Sequence, residues 1–213
     1  MTLLRAGDRI LFIGDSITDA GRDRADSSAL GDGTVLGDGY VRVVAQTLAG
    51  RQPELGLTVL NRGIGGDRAA DVQARWQEDC LALEPTVVSL LVGVNDTWRR
   101  FDSGQPTSTE AFESAVRDIL TRARDALHPR FVLLEPFTLP VPPVTPEWRA
   151  DLEPRIAVVR ALAAEFDAVL VPTDDLFAFW ARERPAADLL SDGVHPTPLG
   201  HELMAEAWLG AVS

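Results

Sequence analysis

Five short apolar runs, at residues 10–13, 57–60, 86–92, 130–134 and 168–171, are rich in β-branched side chains and are each closed by glycine, proline or asparagine. They do not alternate with polar residues, so strands built from them must be covered on both faces. Stretches of helical periodicity lie between and after them, at 40–49, 68–81, 109–127, 155–166, 174–182 and 199–209. Apolar strands separated by helices predict a parallel sheet with helices on each side. The expected fold class is therefore α/β, a doubly wound three-layer α/β/α sandwich around a five-stranded parallel sheet, flavodoxin-like in outline. Local signals support the boundaries. Thr109 stands before Glu110 and Glu113, which suit the first turn of a helix, and Pro154 fits a first turn better than an interior. The proline-rich stretch 136–146 reads as a semi-rigid loop over the carboxyl ends of the strands, and 19–39, rich in Gly, Asp and Ser, as a second loop. Apolar elements flank both closely and no repeat appears, so residues 1–213 read as one domain.

Composition removes several function classes. Twenty Lys+Arg against 32 Asp+Glu leave a net charge of -12, which repels a nucleic-acid backbone or an anionic membrane surface. All twenty basic residues are arginine, which excludes a Walker lysine, a Schiff-base lysine and a serine–lysine dyad. Lone Cys80 can form neither an internal disulfide nor a cysteine-rich zinc site, and reads as a core thiol beside Leu81 and Leu83. Arg5, Asp8 and Arg9 interrupt the first residues, and no uncharged run approaches the roughly 20 residues of a membrane span, so a soluble, cytoplasmic chain is expected.

In open parallel sheets the reacting groups collect beyond the carboxyl ends of the strands. The first strand runs into Gly14-Asp15-Ser16-Ile17-Thr18-Asp19, the second into Asn61-Arg62-Gly63-Ile64-Gly65-Gly66-Asp67, and the third into Gly93-Val94-Asn95-Asp96. Taken singly, each has a plain reading: a capped strand-to-helix turn, a glycine turn, a helix cap. The glycines of the second could cradle a phosphate, but the Gly-x-Gly-x-x-Gly spacing is missing and there is no lysine. Of the histidines, His128 precedes Pro129 in a turn and His201 lies inside the last helix without partners for a metal. His195 differs, because Asp192 stands three residues earlier across a glycine-containing turn. Its carboxylate can reach Nδ1 and hold the tautomer that general-base chemistry requires, although an Asp that merely caps the turn before Pro196 has the same spacing. Together, a serine, two oxyanion-donor candidates and an Asp–His pair are far more specific than any one of them.

These four segments resemble the blocks of the SGNH (GDSL) hydrolase superfamily over almost the whole chain. The resemblance implies the SGNH hydrolase fold, and a serine esterase in which Ser16 is the nucleophile, His195 the general base and Asp192 its orienter. The oxyanion hole falls on the Ser16 N–H, Gly66 and Asn95, with Gly65 as the adjacent alternative. Gly14 to Arg22, Gly39-Tyr40-Val41, Asn95-Asp96-Thr97-Trp98-Arg99 and the segment from His195 to His201 are similar to intracellular acetyl-xylooligosaccharide esterases of that superfamily. Those enzymes deacetylate short xylan fragments, and the best-known type is a ring-shaped octamer. Their pattern has a tryptophan directly before the last-block aspartate, whereas this chain has Ser191.

What this implies is acyl transfer through an acyl-serine, with no metal or organic cofactor, on a small ester such as an O-acetylated xylo-oligosaccharide, by a cytoplasmic homo-oligomer. A lysophospholipase, thioesterase or general short-chain esterase shares the same blocks, and a carbohydrate-binding module retaining the fold is the non-enzymatic alternative. Asp15, Tyr40 and Trp98 are the candidate substrate contacts. Trp98, in the loop at the mouth, could stack on a sugar ring, close the acyl pocket or simply pack on the surface. Trp76, Trp180 and Trp208 read as core or subunit packing, and Trp148 as a possible subunit contact.

Overall fold

The computed structural model describes residues 3–24 and 34–213, so the middle of the expected 19–39 loop lies outside the described residues. The strands are β1 (Arg9–Gly14), β2 (Thr58–Gly63), β3 (Val87–Leu91), β4 (Arg130–Leu134) and β5 (Val169–Val171). All pair in parallel, in the order β2-β1-β3-β4-β5. Among the described residues the helices are α1 (Ser16–Asp19), α2 (Tyr40–Arg51), α3 (Ala69–Ala74), α4 (Trp76–Asp79), α5 (Val94–Asp102), α6 (Thr109–Leu127), α7 (Pro146–Glu165), α8 (Thr173–Trp180) and α9 (Pro198–Val212). None of them is long and apolar enough to cross a membrane.

The central strand shows why both faces must be covered. Ile10 and Phe12 of β1 point into a layer with Tyr40, Val44 and Trp208, while Leu11 and Ile13 point into the opposite layer with Val72, Trp76 and Phe112. All four are fully buried, each contributing roughly 1.5–3 kcal/mol over an exposed position. The only polar residue of β3, Ser89, accepts a 3.0 Å hydrogen bond from Trp208 Nε1, so burial leaves neither group unpaired. Cys80 is buried, its thiol pushed up to about 12 by burial, as a core thiol requires.

Four expectations are corrected. The fourth helical stretch begins at Pro146, not 155, which puts Pro154 inside α7. Pro154 and Ala150 are both exposed, so water can reach the Ala150 carbonyl that loses its helical donor. The 68–81 stretch breaks at Arg75, whose guanidinium turns inward to the carbonyls of Gly14 (3.0 Å) and Arg62 (2.8 Å) and to the Asp67 carboxylate (2.7 Å). The segment after Asn95 is helix α5 and not a loop, so Trp98 stands on a regular element, packed edge-on to Trp148 at 5.2 Å between ring centroids. Trp148, a candidate subunit contact, is itself buried. The cap of α6 is Ser108, whose Oγ accepts from Ala111 N at 3.1 Å.

Candidate active site

The strand order places β1 between β2 and β3, and the register sets Gly14 opposite both Gly63 and Leu91. The turns after β1, β2 and β3 therefore open at one level, at the switch point where the connections leaving β1 and β3 cross opposite faces of the sheet, through α2 and α6. A Cβ at Gly14 would lie 1.9 Å from the Leu91 carbonyl oxygen, so only glycine lets the strands approach this closely.

Ser16 opens α1 with Asp15 as the N-cap, and Asp15 Oδ1 accepts from Ile17 N at 3.0 Å. The Ser16 N–H is one of the donors that a helix start leaves without an intrahelical acceptor. Across the site, the 181–197 connection is pinned by an antiparallel bridge between Leu190 and Pro196 and by Leu139 N donating to Gly193 O at 2.9 Å. The proline-rich loop thus packs on the segment carrying Asp192 and His195. Gly193, at φ +81°, has no room for a Cβ, which would sit 2.6 Å from the carbonyl oxygens of Leu139 and Val141.

The fold brings Ser16 and His195 together across 179 residues: Ser16 Oγ lies 2.8 Å from His195 Nε2. His195 Nδ1 lies 2.7 Å from Asp192 Oδ2, while Asp192 Oδ1 accepts from His195 N (2.8 Å) and Val194 N (3.0 Å). Burial alone would raise the Asp192 pKa, but these hydrogen bonds outweigh it and hold the carboxyl below its ordinary range. An ionised carboxylate only accepts, so a neutral His195 keeps its proton on Nδ1 and offers the Nε2 lone pair to the Ser16 hydroxyl. The arrangement can remove a proton from Ser16 Oγ as it attacks an electrophile.

The groups expected as oxyanion donors stand alongside. Gly65 approaches Ser16, a Cβ built there lying 3.8 Å from Ser16 Cβ, but its own N–H is occupied by Asp19 Oδ2 at 3.0 Å. The Gly66 N–H has no acceptor among the described residues, which favours Gly66 over Gly65. Asn95, at the start of α5, donates one Nδ2 hydrogen to the Asp67 carbonyl at 3.1 Å and retains the other. Asn61 ties the first two segments together through Nδ2 to Thr18 O at 2.7 Å, and Arg22 adds its Nε to Gly63 O at 2.8 Å.

Two expected substrate contacts are corrected. Asp15 and Tyr40 are fully buried, so neither reaches a substrate. Asp15 caps the turn, and the Tyr40 hydroxyl pairs with Thr18 Oγ1 at 3.1 Å, its pKa raised by burial. Burial, with the Asp96 and Asp67 charges, raises Asp15 to about 7, and burial raises Asp96 to about 6. His201 Nδ1 accepts the Tyr40 N–H at 3.2 Å, supplying the cap that Gly39 lacks, and burial lowers its pKa to about 4. Trp98 is half-buried with its ring 5.7 Å from the His195 ring.

Asp19 was missed as a site residue. It is buried, lies one helical turn after Asp15, and joins Gly65 N–H to the Arg24 guanidinium, holding the turn against α1. Its place at the end of Gly14-Asp15-Ser16-Ile17-Thr18-Asp19 was the available signal. No group of three or more His, Cys, Asp or Glu side chains comes together as a metal site among the described residues.

Residues 12–203 match the model of the GDSL-like Lipase/Acylhydrolase family. An acetylxylan esterase of Geobacillus stearothermophilus is 35% identical over 208 residues, covering 96% of this chain and 93% of that protein. A Parabacteroides merdae protein assigned to the GDSL-like lipases superposes with a TM-score of 0.95 at 34% identity, over 100% of this chain and 99% of that one. A crystal structure of a Geobacillus stearothermophilus acetylxylan esterase gives 0.90 at 33%, over 100% and 97%. Variants of that esterase with a serine or an aspartate replaced by alanine are described as catalytic mutants.

Proposed function

This chain belongs to the GDSL-like Lipase/Acylhydrolase family and is a carboxylic ester hydrolase, and from that premise we propose that it removes acetyl groups from small O-acetylated carbohydrates such as xylo-oligosaccharides. The observation that carries the mechanism is the unbroken hydrogen-bond chain from Ser16 Oγ through the His195 ring to Asp192. The serine and aspartate replaced in the catalytic mutants of the Geobacillus esterase support the same two roles here.

Ser16 Oγ attacks the ester carbonyl carbon while His195 Nε2 accepts its proton. The carbonyl oxygen becomes an oxyanion held by the N–H groups of Ser16 and Gly66 and the free Nδ2 hydrogen of Asn95. As the intermediate collapses, the ester C–O bond breaks and His195 returns the proton to the departing sugar oxygen. Water then attacks the acyl-serine with His195 again accepting a proton, and acetate leaves as Ser16 recovers its hydrogen. Asp192 stays ionised throughout and compensates the imidazolium formed in each half.

The acetylated-sugar assignment rests on the similarity to acetylxylan esterases and on an aromatic wall beside His195. A single domain over residues 1–213, a homo-oligomer and a cytoplasmic setting belong to the same reading. The test is acetate release from acetylated xylo-oligosaccharides, with an aryl acetate and a long-chain lysophospholipid as comparators and Ser16→Ala as control. Efficient sugar deacetylation abolished in the variant is the expected result. Turnover of the aryl acetate alone would retain the serine chemistry and remove the carbohydrate assignment, and preferred cleavage of the lysophospholipid would move the enzyme to a long-acyl class.

A further inference from the structure

Helix α5 carries more than Asn95. Asn95, Trp98, Arg99 and Asp102 stand at positions i, i+3, i+4 and i+7, which a helix gathers on one face. Trp98 flanks the His195 ring at 5.7 Å between centroids. Arg99 turns the other way: its Nη2 lies 3.4 Å from where a Cβ on Gly66 would be, beside the turn that bears a free oxyanion donor. Arg99 Nη1 is bound to Asp102 Oδ2, and the two side chains remain 36% and 32% exposed. No bond among the described residues uses Arg99 Nη2. The face therefore runs from the imidazole to the oxyanion turn as an aromatic plane followed by a fixed donor–acceptor pair.

Those two chemistries suit different parts of one molecule. An aromatic plane takes the apolar C–H face of a pyranose ring, and a guanidinium beside a carboxylate matches two neighbouring hydroxyls, each of which both donates and accepts. A long acyl chain laid over the same pair would desolvate it without replacing its hydrogen bonds. The pair also adds little to stability, because it is exposed and joins residues i and i+3 of one helix.

We infer that Trp98, Arg99 and Asp102 form the subsite for the sugar ring next to the scissile acetyl, with the Arg99–Asp102 pair holding a vicinal diol. This rests on the acetylated-carbohydrate reading and adds specificity residues to it. Arg99 and Asp102 act on substrate binding, whereas an aryl acetate, which has no diol, bypasses them.

The experiment compares KM and kcat for acetylated xylo-oligosaccharides and for an aryl acetate in Arg99→Ala, Asp102→Ala and the control Arg100→Ala. Arg100 carries the same charge one position along, but points to Asp151 of α7 at 3.2 Å. Arg99→Ala and Asp102→Ala are each expected to raise KM for the sugar about ten-fold, the size of one lost charge-assisted hydrogen bond, with aryl acetate kcat/KM unchanged. Arg100→Ala should alter neither. Equal loss on both substrates would mean that Arg99 supports the Gly66 turn and not the sugar, and no loss on either would remove the pair from recognition; both results overturn the subsite. A wild-type enzyme that cleaves only the aryl acetate overturns the carbohydrate reading and the subsite together.

Discussion

Replacing Asp192 by asparagine isolates one proton position. In the native site the two carboxylate oxygens divide their work: Oδ1 accepts the N–H groups of Val194 and His195, and Oδ2 faces His195 Nδ1 at 2.7 Å. Asparagine keeps an Oδ1 for the turn but puts an NH₂ donor where Oδ2 stood. His195 Nδ1 must then accept, its proton moves to Nε2, and the lone pair that should take the Ser16 proton is lost. The same change in a serine protease triad costs about 10⁴ in kcat, which corresponds to about 5.4 kcal/mol of barrier, and a loss of that size is expected here. Asp192→Ala should be as inactive but also less stable, because two backbone donors lose their acceptor. That adds a cost of about 1–2 kcal/mol, or about 2–8 °C in Tm for a chain of this size. Steady-state hydrolysis of an aryl acetate and thermal unfolding of the three proteins separate the effects. An asparagine variant within about ten-fold of wild-type kcat would refute the tautomer argument, and one as unstable as the alanine variant would refute the division of labour between the two oxygens.

Asn95→Ala should lower kcat roughly 10²–10³-fold, about 2.7–4 kcal/mol, with little change in KM, since in the proposed mechanism the donor acts on the oxyanion and not on the ground-state ester; unchanged turnover would remove Asn95 from the site. Asp15 gives a stability signature. Its folded pKa of about 7 lies above the ordinary 3.8, so the stabilisation it provides is complete below 3.8 and is lost as pH rises through about 7. At 1.36 kcal/mol per unit this is about 4 kcal/mol, and Asp15→Asn, which keeps the acceptor for Ile17 N, should flatten the decline in denaturant stability between about pH 4 and pH 7. Parallel declines in the two proteins would show that the Asp15 charge does not drive the effect.

The strands were legible because a fully covered strand has nowhere to put a polar side chain: runs such as 130–134 coincide with β4, and 109–127 with α6. The Asp192–His195 pair was legible for a different reason, since its geometry closes within one turn. What failed was local inference against tertiary contact. Pro154 reads as a boundary in sequence, yet α7 continues through it because its buried face packs and its exposed carbonyl meets water. Tyr40 opens the first long helix, in a segment similar to the esterases, and ends inside the core, where Phe12 and His201 enclose it.

The chain by itself determined the layered α/β architecture and the residue types of the candidate site, because periodicity, turn chemistry and short-range hydrogen bonds act over a few residues. Which glycine N–H stays free, that Asp19 locks Gly65, and that Arg99 reaches Gly66 were decided only when the parallel strands aligned their ends. Packing of β1 between β2 and β3 fixes positions that are far apart in sequence to within a hydrogen-bond length, and no local preference encodes a distance of that kind.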